Sequence, residues 1–358
     1  MTPDELKIVR RAYAKQITAA VRIVDERVEA AFADVPREDF LGPGPWPIFR
    51  MRKAYVPTPT ADPVYLYTDD IVGIVPERHI NNGQPSLHAF LLSQSALQAG
   101  EHIVHVGAGA GYYSAIMAHL VTASGRVTAI EFEPQLAARA KANLTPYRNV
   151  SVIQGDGSFV AFDSADVIYV NAGATRPADS WLDRLNDGGR VVLPLTTDLG
   201  FTHSNWSNMH LRGAVFLVTR KGEEFHAQWI SPVAIFPCEG MRDAESEKAL
   251  AAAFESGEHK RVTRLYRNDE LPTGNVGFAV RLVPSLCLGN GSASYLGHHT
   301  VAHYLTFYTS TIRRELTRKN QSFTADFCGD PCALWAECSH CELLLRAAND
   351  HCARTSFA

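Results

Sequence analysis

Three glycines, Gly107, Gly109 and Gly111, follow a short run of apolar and β-branched residues and precede a helix-like segment, 112–121. An apolar run bounded by glycines predicts a buried strand that ends in a tight turn. Because glycine has no Cβ, the backbone there can adopt positive φ, and a ligand can lie almost against the main chain at the start of a helix. The unit of strand, glycine loop and helix therefore predicts a nucleotide-type pocket.

The spacing of the glycines and the ends of the next strands indicate which nucleotide this pocket would bind. Dinucleotide-binding loops have the pattern G-x-G-x-x-G, whereas this chain has G-x-G-x-G, so a dehydrogenase is disfavoured. Three further apolar runs are predicted as strands that end in polar or glycine residues: 127–130 in Glu131, 150–153 in Gly155, Asp156 and Gly157, and 165–170 in Asn171 and Gly173. Open α/β sheets bind ligands at this edge, and a carboxylate after the second strand can reach a ribose.

This set of features resembles the S-adenosylmethionine-dependent methyltransferases, which have a Rossmann-like fold: a mostly parallel twisted sheet with helices on both faces. The resemblance implies S-adenosyl-L-methionine as the cofactor. Each acid also has a structural alternative, because Glu131 could cap a helix that begins at Pro134, and Asp156 could close a turn. We predict an α/β fold of this type, with an α+β extension at its C-terminal side.

The length and composition are typical of a globular protein with one full domain and an extension. The 358 residues carry a net charge of −4 and are 46% hydrophobic and 20% charged. A net negative charge does not indicate a surface that binds nucleic acid. No apolar run approaches the roughly 18 residues of a membrane-spanning helix. Residues 1–11 are charged rather than signal-like. We expect a cytoplasmic protein that binds neither nucleic acid nor membrane, and its oligomeric state stays open.

The chain is expected to have three segments. The first, 1–63, combines a helix-like stretch at 4–32 with a proline-rich loop that should forbid regular structure for about twenty residues. In that loop Trp46 could close on a substrate or pin the loop to the core, and we favour pinning. The second segment, 64–240, is the methyltransferase core, and the third, 241–358, is an extension of unknown role. Within the extension the patterns predict helices at 242–254 and 300–316 and strands at 261–267 and 277–288.

Five of the seven cysteines lie near the end of the chain: Cys328, Cys332, Cys338, Cys341 and Cys352. Thiolates are preferred zinc ligands. The spacing C-x3-C-x5-C-x2-C nevertheless lacks the paired C-x2-C arrangement of common zinc modules. We therefore expect reduced thiols here rather than a metal site.

Six motifs occur in an order and spacing that resemble one family. They are Val-Pro-Arg-Glu-Asp-Phe at 35–40, Gln-Pro-Ser-Leu-His-Ala at 84–89, Val-Gly-Ala-Gly-Ala-Gly-Tyr at 106–112, Gly-Asp-Gly at 155–157, Gly-Gly-Arg-Val-Val-Leu-Pro at 188–194 and Ala-Ile-Phe-Pro at 234–237. Together they resemble the protein-L-isoaspartate (D-aspartate) O-methyltransferase family over roughly residues 15–240. The resemblance implies methyl transfer to the carboxylate of an isoaspartyl residue in damaged peptides or proteins, which is a protein repair function.

The resemblance also implies which residues form the site. The implied cofactor contacts are Gly107, Ala108, Gly109 and Gly111 under the methionine part, Glu131 at the ribose hydroxyls, and Gly155, Asp156 and Gly157 at the adenine. His88 matches a family histidine near the cofactor and the substrate. His105 stands where many methyltransferases have an acidic residue, and we expect a structural role for it.

The chain departs from the family in the loop before the helix predicted at 86–97. The family usually has Thr-Ile-Ser there, and its serine hydroxyl helps to hold the substrate, whereas this chain has Asn81, Asn82 and Gly83. We predict that Asn81 or Asn82 binds the acceptor carboxylate instead, the alternative being that both asparagines only form the turn. Two other functions stay open: methylation of another peptide or small-molecule carboxylate, and a methyltransferase-like adaptor that binds its ligand without turnover.

Overall fold

A computed structural model describes residues 1–50, 54–198, 213–235, 238, 241–266 and 282–284. The chain divides into two units, Met1–His298 and His299–Ala358, and every described residue lies in the first. Among the described residues no helix combines the length and the apolar character that a membrane crossing requires. The predicted helix at 300–316 and the cysteines of the tail lie outside the described residues.

The elements of the described residues alternate between strands and helices through the centre of the chain. The helices are α1 (Pro3–Ala20), α2 (Glu26–Asp34), α3 (Glu38–Leu41), α4 (Pro85–Ser95), α5 (Tyr112–Val121), α6 (Pro134–Asn143), α7 (Asp179–Asp183) and α8 (Ala244–Ser256). The strands are β1 (Pro47–Arg50), β2 (Ala54–Pro57), β3 (Gly73–Val75), β4 (Ile80–Asn81), β5 (His102–Val106), β6 (Arg126–Glu131), β7 (Val150–Gln154), β8 (Ala165–Val170), β9 (Leu185–Thr196), β10 (Gly213–Lys221), β11 (Glu224–Pro232), β12 (Val262–Leu265) and β13 (Leu282–Pro284).

In the described part of the chain the central sheet has the strand order β7-β6-β5-β8-β9-β10-β11-β12-β13. The strands from β7 to β9 in this order are parallel to one another, and from β9 onwards each neighbour is antiparallel. A parallel strand needs a crossover to reach its neighbour, and α5 and α6 supply the crossovers between β5, β6 and β7. The predicted α/β class is confirmed.

Alternate residues of a strand point to opposite faces of the sheet, and both faces of this sheet are covered. On one face Ile103 and Tyr169 belong to a buried cluster with side chains of α1, α2, α4 and α5. On the other face Val104 and Ile168 belong to a second cluster with side chains of α7 and α8. All five residues of β5 are buried, which explains why its sequence is apolar apart from His102 and His105.

The N-terminal segment differs from its prediction in two places. The helix expected over 4–32 is two helices, because α1 ends at Ala20, Arg22 adopts a left-handed φ of 57°, and the Asp25 side chain caps α2 by accepting a hydrogen bond from the Arg27 N–H at 3.0 Å. The proline-rich stretch is not devoid of regular structure, since β1 and β2 pair as a hairpin. Its prolines 47 and 57 face each other at the end of that ladder, where a missing N–H costs little.

Trp46 pins this hairpin to the core, as we expected. Its side chain is 4% exposed and lies in a buried cluster with Ile48 and Leu66. The indole N–H donates to the Gly42 carbonyl at 2.9 Å, which satisfies its polar atom.

The described part of the extension joins the central sheet. The helix predicted at 242–254 is α8, and the strands predicted at 261–267 and 277–288 contain β12 and β13, which extend the sheet beyond β11. The boundaries at residues 63 and 240 that divide the chain into three segments stay a prediction.

Candidate functional site

The predicted glycine loop lies between β5 and α5 and is bound to the neighbouring strand β6. The N–H groups of Gly107 and Ala108 both donate to the Ile130 carbonyl, at 2.9 and 3.1 Å. All three glycines have positive φ, 79° at Gly107, 57° at Gly109 and 95° at Gly111. The loop therefore turns in a conformation that side chains rarely adopt.

Two of these glycines have different physical reasons for lacking a side chain. A Cβ at Gly111 would lie 2.8 Å from Leu144 Cδ1, so this glycine allows α5 to begin against the end of α6. Among the described residues, a Cβ at Gly109 would meet Ile74 Cδ1 alone, at 3.7 Å. Within the described part of the chain, the main chain at Gly109 thus faces open space beside β3, which is what close approach of a ligand requires.

Glu131 connects the end of β6 to the glycine loop. Its Oε2 accepts a hydrogen bond from the Gly109 N–H at 2.6 Å, and its Oε1 accepts one from the Glu133 N–H at 3.0 Å. The side chain is 6% exposed, and burial raises the pKa of the carboxyl, against the opposing effect of the backbone donors. A carboxylate has about four acceptor positions, so the remaining ones can accept from the hydroxyls of a ribose. The residues present fit that group.

Asp156 lies in the turn after β7, between Gly155 and Gly157. Its Oδ1 accepts hydrogen bonds from the Ser158 N–H and Oγ–H at 2.8 and 2.6 Å, so the acid does close a turn. Among the described residues Oδ2 has no hydrogen-bond partner. This oxygen can accept from an exocyclic amine such as that of adenine. The Gly157 carbonyl is held by the indole N–H of Trp181 at 2.8 Å.

Two aromatic residues at this edge were not singled out from the sequence. Phe132 directly follows Glu131 and is 45% exposed, and Phe159 lies three residues after Asp156 and is 84% exposed. Exposed aromatic faces beside these acids suit the flat surface of a purine. The signal that could have found them is an aromatic residue close behind an acid at a strand end.

The loop from β4 to α4 carries the predicted acceptor-binding asparagines, and the two differ in geometry. Asn81 Oδ1 accepts from the Gly83 N–H at 2.8 Å, while Asn81 Nδ2 donates to the His79 carbonyl at 2.9 Å. Asn81 therefore closes the turn with both ends of its amide. Asn82 is 6% exposed, and its Nδ2 is buried without a partner in the described part of the chain. Of the two, Asn82 has the unpaired donor that an acceptor carboxylate could use.

His88 lies on α4 and is 1% exposed. Its Nδ1 is 2.8 Å from the Tyr169 hydroxyl on β8, and its ring stacks on Tyr113 of α5 with ring centroids 3.8 Å apart. Burial, with smaller contributions from His105 and Arg37, lowers the pKa of His88 to about 3. The imidazole is therefore neutral near neutral pH. The stack places it against the helix that follows the glycine loop.

Asp69 fixes the start of α4 and was not recognised from the sequence as part of the site. Its carboxylate accepts hydrogen bonds from the Ser86 N–H at 2.7 Å, the Ser86 Oγ–H at 2.6 Å and the Gln84 Nε2–H at 2.8 Å. The fully buried guanidinium of Arg37 donates to backbone carbonyls within 66–70 on either side of Asp69. These contacts determine where α4 begins, and thus where His88 lies.

His105 has the structural surroundings that we expected for it. It is fully buried in β5, and its Nδ1 lies 2.8 Å from the Ser114 Oγ on α5. Its Nε2 has no partner in the part of the chain that the structure describes. Burial lowers the pKa of this histidine to about 3.

A known protein family matches the part of the chain that contains the glycine loop, Glu131, Asp156 and His88. The model of the family "Protein-L-isoaspartate(D-aspartate) O-methyltransferase" matches residues 11–203, which is more than half of the chain. The chain belongs to this family. The predicted resemblance is thereby confirmed, and the family match ends before α8 and the strands of the extension.

Individual relatives agree with the family match. The chain is 30% identical to protein-L-isoaspartate O-methyltransferase of Thermotoga maritima over 183 residues, which are 49% of this chain and 52% of that protein. It is 34% identical to the protein of the same name from Aeropyrum pernix over 203 residues, which are 54% of this chain and 69% of that protein. The chain thus spans about half the length of the first of these relatives.

Solved structures show the same fold. A protein-L-isoaspartate O-methyltransferase matches with a TM-score of 0.53 at 24% identity, over 64% of this chain and 66% of that one. A Plasmodium falciparum protein, described as a putative protein-L-isoaspartate O-methyltransferase in complex with S-adenosyl-L-homocysteine, matches with a TM-score of 0.50 at 17% identity. That match covers 66% of this chain and 99% of the Plasmodium chain. The Rossmann-like methyltransferase fold is thus confirmed.

Proposed function

We propose that this chain is an S-adenosylmethionine-dependent O-methyltransferase that methylates the carboxylate of an isoaspartyl residue in a peptide or protein. The observation that carries the proposal is the link between Glu131 and the Gly109 N–H, 2.6 Å long, in a member of this family. It joins a loop with an open main-chain face to an acid that can bind ribose hydroxyls. Protein repair and a cytoplasmic location stay predictions that go with this activity.

A carboxylate acceptor makes modest chemical demands. S-adenosylmethionine, when bound, supplies a methyl group on a positively charged sulfur, and the O–CH3 bond forms as the S–CH3 bond breaks. With an ordinary pKa of about 4, the acceptor is already ionised at neutral pH, so no general base is required. The protein must hold the oxygen, carbon and sulfur nearly in line at roughly 3 Å, and such positioning can account for several kcal/mol of the barrier.

The described residues suit that positioning task. We assign Gly107, Ala108, Gly109 and Gly111 to the methionine part, Glu131 to the ribose, and Gly155, Asp156 and Gly157 to the adenine. On the acceptor side, Asn82 and His88 replace water around the carboxylate with fixed dipoles. Asn81 supports them by closing the turn through its contacts with Gly83 and His79.

The test is methyl transfer from radiolabelled S-adenosylmethionine to a synthetic isoaspartyl peptide, beside the same peptide with a normal aspartyl residue. We expect base-labile methyl ester on the isoaspartyl peptide alone. Asp156→Ala should weaken cofactor binding and lower the rate, whereas Asp163→Ala, which removes an exposed carboxylate paired with Arg126, is the matched control. No ester on the isoaspartyl peptide, with cofactor binding intact, would refute the proposal.

A second candidate is methylation of a different peptide carboxylate, and Gly83 favours it. A glycine at this position has no hydroxyl to contact the substrate, so the acceptor side of the pocket differs from the family pattern. Ester formation on peptides with aspartyl, glutamyl or C-terminal carboxylates, in the absence of isoaspartyl activity, would support this candidate. Binding of peptide without any ester would instead support an adaptor.

A further inference from the structure

The contact between His88 and Tyr169 determines which nitrogen of the imidazole carries the proton. Among the described residues the Tyr169 hydroxyl has one hydrogen-bond partner, His88 Nδ1 at 2.8 Å. Both side chains are almost completely buried, and a buried hydroxyl proton without an acceptor is costly. The tyrosine therefore donates to Nδ1. Because the neutral imidazole carries a single proton, this proton lies on Nε2.

The Nε2–H of His88 is aimed at the position where residue 83 would have a side chain. A Cβ built on Gly83 would overlap Nε2 and would lie 2.9 Å from Cδ2 of the same ring. Gly83 has a φ of 67° and no side chain, so the imidazole occupies this space. Nε2 has no hydrogen-bond partner among the described residues. A donor without a partner thus faces the loop that precedes α4.

A second unpaired donor belongs to the same loop. Asn82 Nδ2 is buried without a partner in the described residues, one position before Gly83. Buried donors in folded proteins are almost always hydrogen-bonded. Asn82 Nδ2 is an exception, and together with the Nε2–H aimed at residue 83 it points to an anionic or carbonyl oxygen as the missing ligand.

We propose that His88 donates a hydrogen bond from Nε2–H to the acceptor carboxylate, and that Tyr169 is the positioning residue that holds His88 in this tautomer. This assignment rests on the proposed function and deepens it, because it concerns the acceptor of the same site. With its Nδ1 lone pair used by Tyr169, His88 offers no basic nitrogen to the substrate. Alcohols and amines that must lose a proton on methylation are therefore poor acceptors, whereas a carboxylate is a good one.

The tautomer is testable without turnover. In long-range ¹H–¹⁵N spectra of the full-length protein, with His88→Gln used to assign the signals, we expect His88 to be neutral with the proton on Nε2. Tyr169→Phe should produce a mixture of tautomers. A proton on Nδ1 in the wild-type protein would overturn the assignment.

Two substitutions of His88 distinguish a hydrogen-bond donor from a general base at this position. Glutamine places its amide nitrogen near the position of Nε2, whereas asparagine places it near that of Nδ1. Both variants are assayed at saturating S-adenosylmethionine. We expect His88→Gln to keep kcat/KM for the isoaspartyl peptide within about 10-fold of the wild-type value. We expect His88→Asn to lower kcat/KM by about 10- to 100-fold, which is the range for loss of a hydrogen bond to a charged group. Tyr169→Phe should raise KM for the peptide by up to about 10-fold with little change in kcat.

Controls distinguish a lost contact from a damaged fold. The affinity of each variant for S-adenosylhomocysteine should equal that of the wild type, and His119→Ala, which removes an exposed histidine, provides the reference for removal of an imidazole. Equal losses in His88→Gln and His88→Asn would indicate a base or a purely structural role, and would overturn the proposal.

The assignment and the proposed function can fail separately. If the wild type methylates the isoaspartyl peptide but binding of the peptide leaves the His88 Nε2–H signal unchanged, the function stands and the donor role is refuted. If the peptide is neither methylated nor bound, succinate with S-adenosylhomocysteine serves as the carboxylate probe. A shift of the Nε2–H signal with succinate would support the donor role while the isoaspartyl substrate is rejected, and no shift with either probe would refute the role.

Discussion

His105 should make the stability of this protein depend on pH, because it is neutral in the folded state and charged in the acid-unfolded state. It is fully buried in β5 and hydrogen-bonded to Ser114. Burial lowers its pKa to about 3, against about 6.5 in an unfolded chain. Below pH 6.5 the unfolded state therefore binds more protons than the folded state. The free energy of unfolding falls as the pH falls from above 6.5 towards 3.

The size of the effect follows from the two pKa values. At pH 5.5 the unfolded state gains about 1.4 kcal/mol from protonating one histidine of ordinary pKa, while at pH 7.5 it gains less than about 0.1 kcal/mol. The folded state gains almost nothing at either pH, because its pKa lies far below 5.5. His105 alone should therefore cost the wild type about 1.4 kcal/mol of stability between these two pH values.

The substitution that isolates this contribution is His105→Asn, because the asparagine amide can take the place of Nδ1 beside Ser114. Urea denaturation at pH 7.5 and 5.5 gives the loss of stability on acidification for the wild type and the variant. We expect that loss to be smaller in the variant by about 1.4 kcal/mol. A cavity left by the substitution lowers the stability of the variant at both pH values and therefore cancels in this difference. His119→Asn, at an exposed site, provides the baseline. Equal losses in wild type and His105→Asn would refute the argument that His105 is buried and neutral.

Two further predictions concern the cofactor side of the site. Gly111→Ala should destabilise the fold by about 2 to 4 kcal/mol in urea denaturation, because φ is 95° and the new Cβ would lie 2.8 Å from Leu144 Cδ1. Gly188 has a φ of 76° and no atom of the described residues within 4 Å of its Cβ, so Gly188→Ala should cost only about 1 kcal/mol. Glu131→Gln should weaken S-adenosylhomocysteine binding by about 10-fold or more in calorimetric titration, because hydrogen bonds to a charged acceptor are lost. Glu133→Gln is the control. Equal affinity of the two variants for S-adenosylhomocysteine would contradict the assignment of Glu131 to the ribose.

The parts of the fold that the sequence predicted well are those determined by short-range pattern. The strands β6 to β8 and the helices α4 and α5 begin and end within about two residues of their predicted positions. Each is a continuous apolar or helical run interrupted by glycine, proline or an acid at its end, so the local signal and the final structure agree. The same agreement placed Glu131 and Asp156 at one edge of the sheet, because the ends of parallel strands meet there.

The parts that the sequence did not predict depend on contacts between distant segments. Nothing local marks Tyr169 as a partner of His88, since the two are 81 residues apart and meet only when β8 lies beside β5 and α4 packs over the sheet. Asp69 is similar, because its role at the start of α4 depends on the position of a loop 17 residues earlier. The break between α1 and α2 was missed for another reason: periodicity continues across it, and only the cap at Asp25 reveals it.

The residues beyond the family match contact the edge of the sheet where we propose that the acceptor binds. The guanidinium of Arg242 donates to the Gly173 carbonyl at 2.9 Å, and the Cys238 N–H donates to that same carbonyl at 3.0 Å. Gly173 follows β8, and its loop begins at Asn171, whose carbonyl would lie 3.1 Å from a Cβ on Gly107. The chain after residue 237 thus holds the loop that borders the glycine turn. Because Tyr169 lies two residues before that loop, residues beyond the family match support the proposed acceptor side of the site as well as the sheet, and the match at 11–203 leaves this support out.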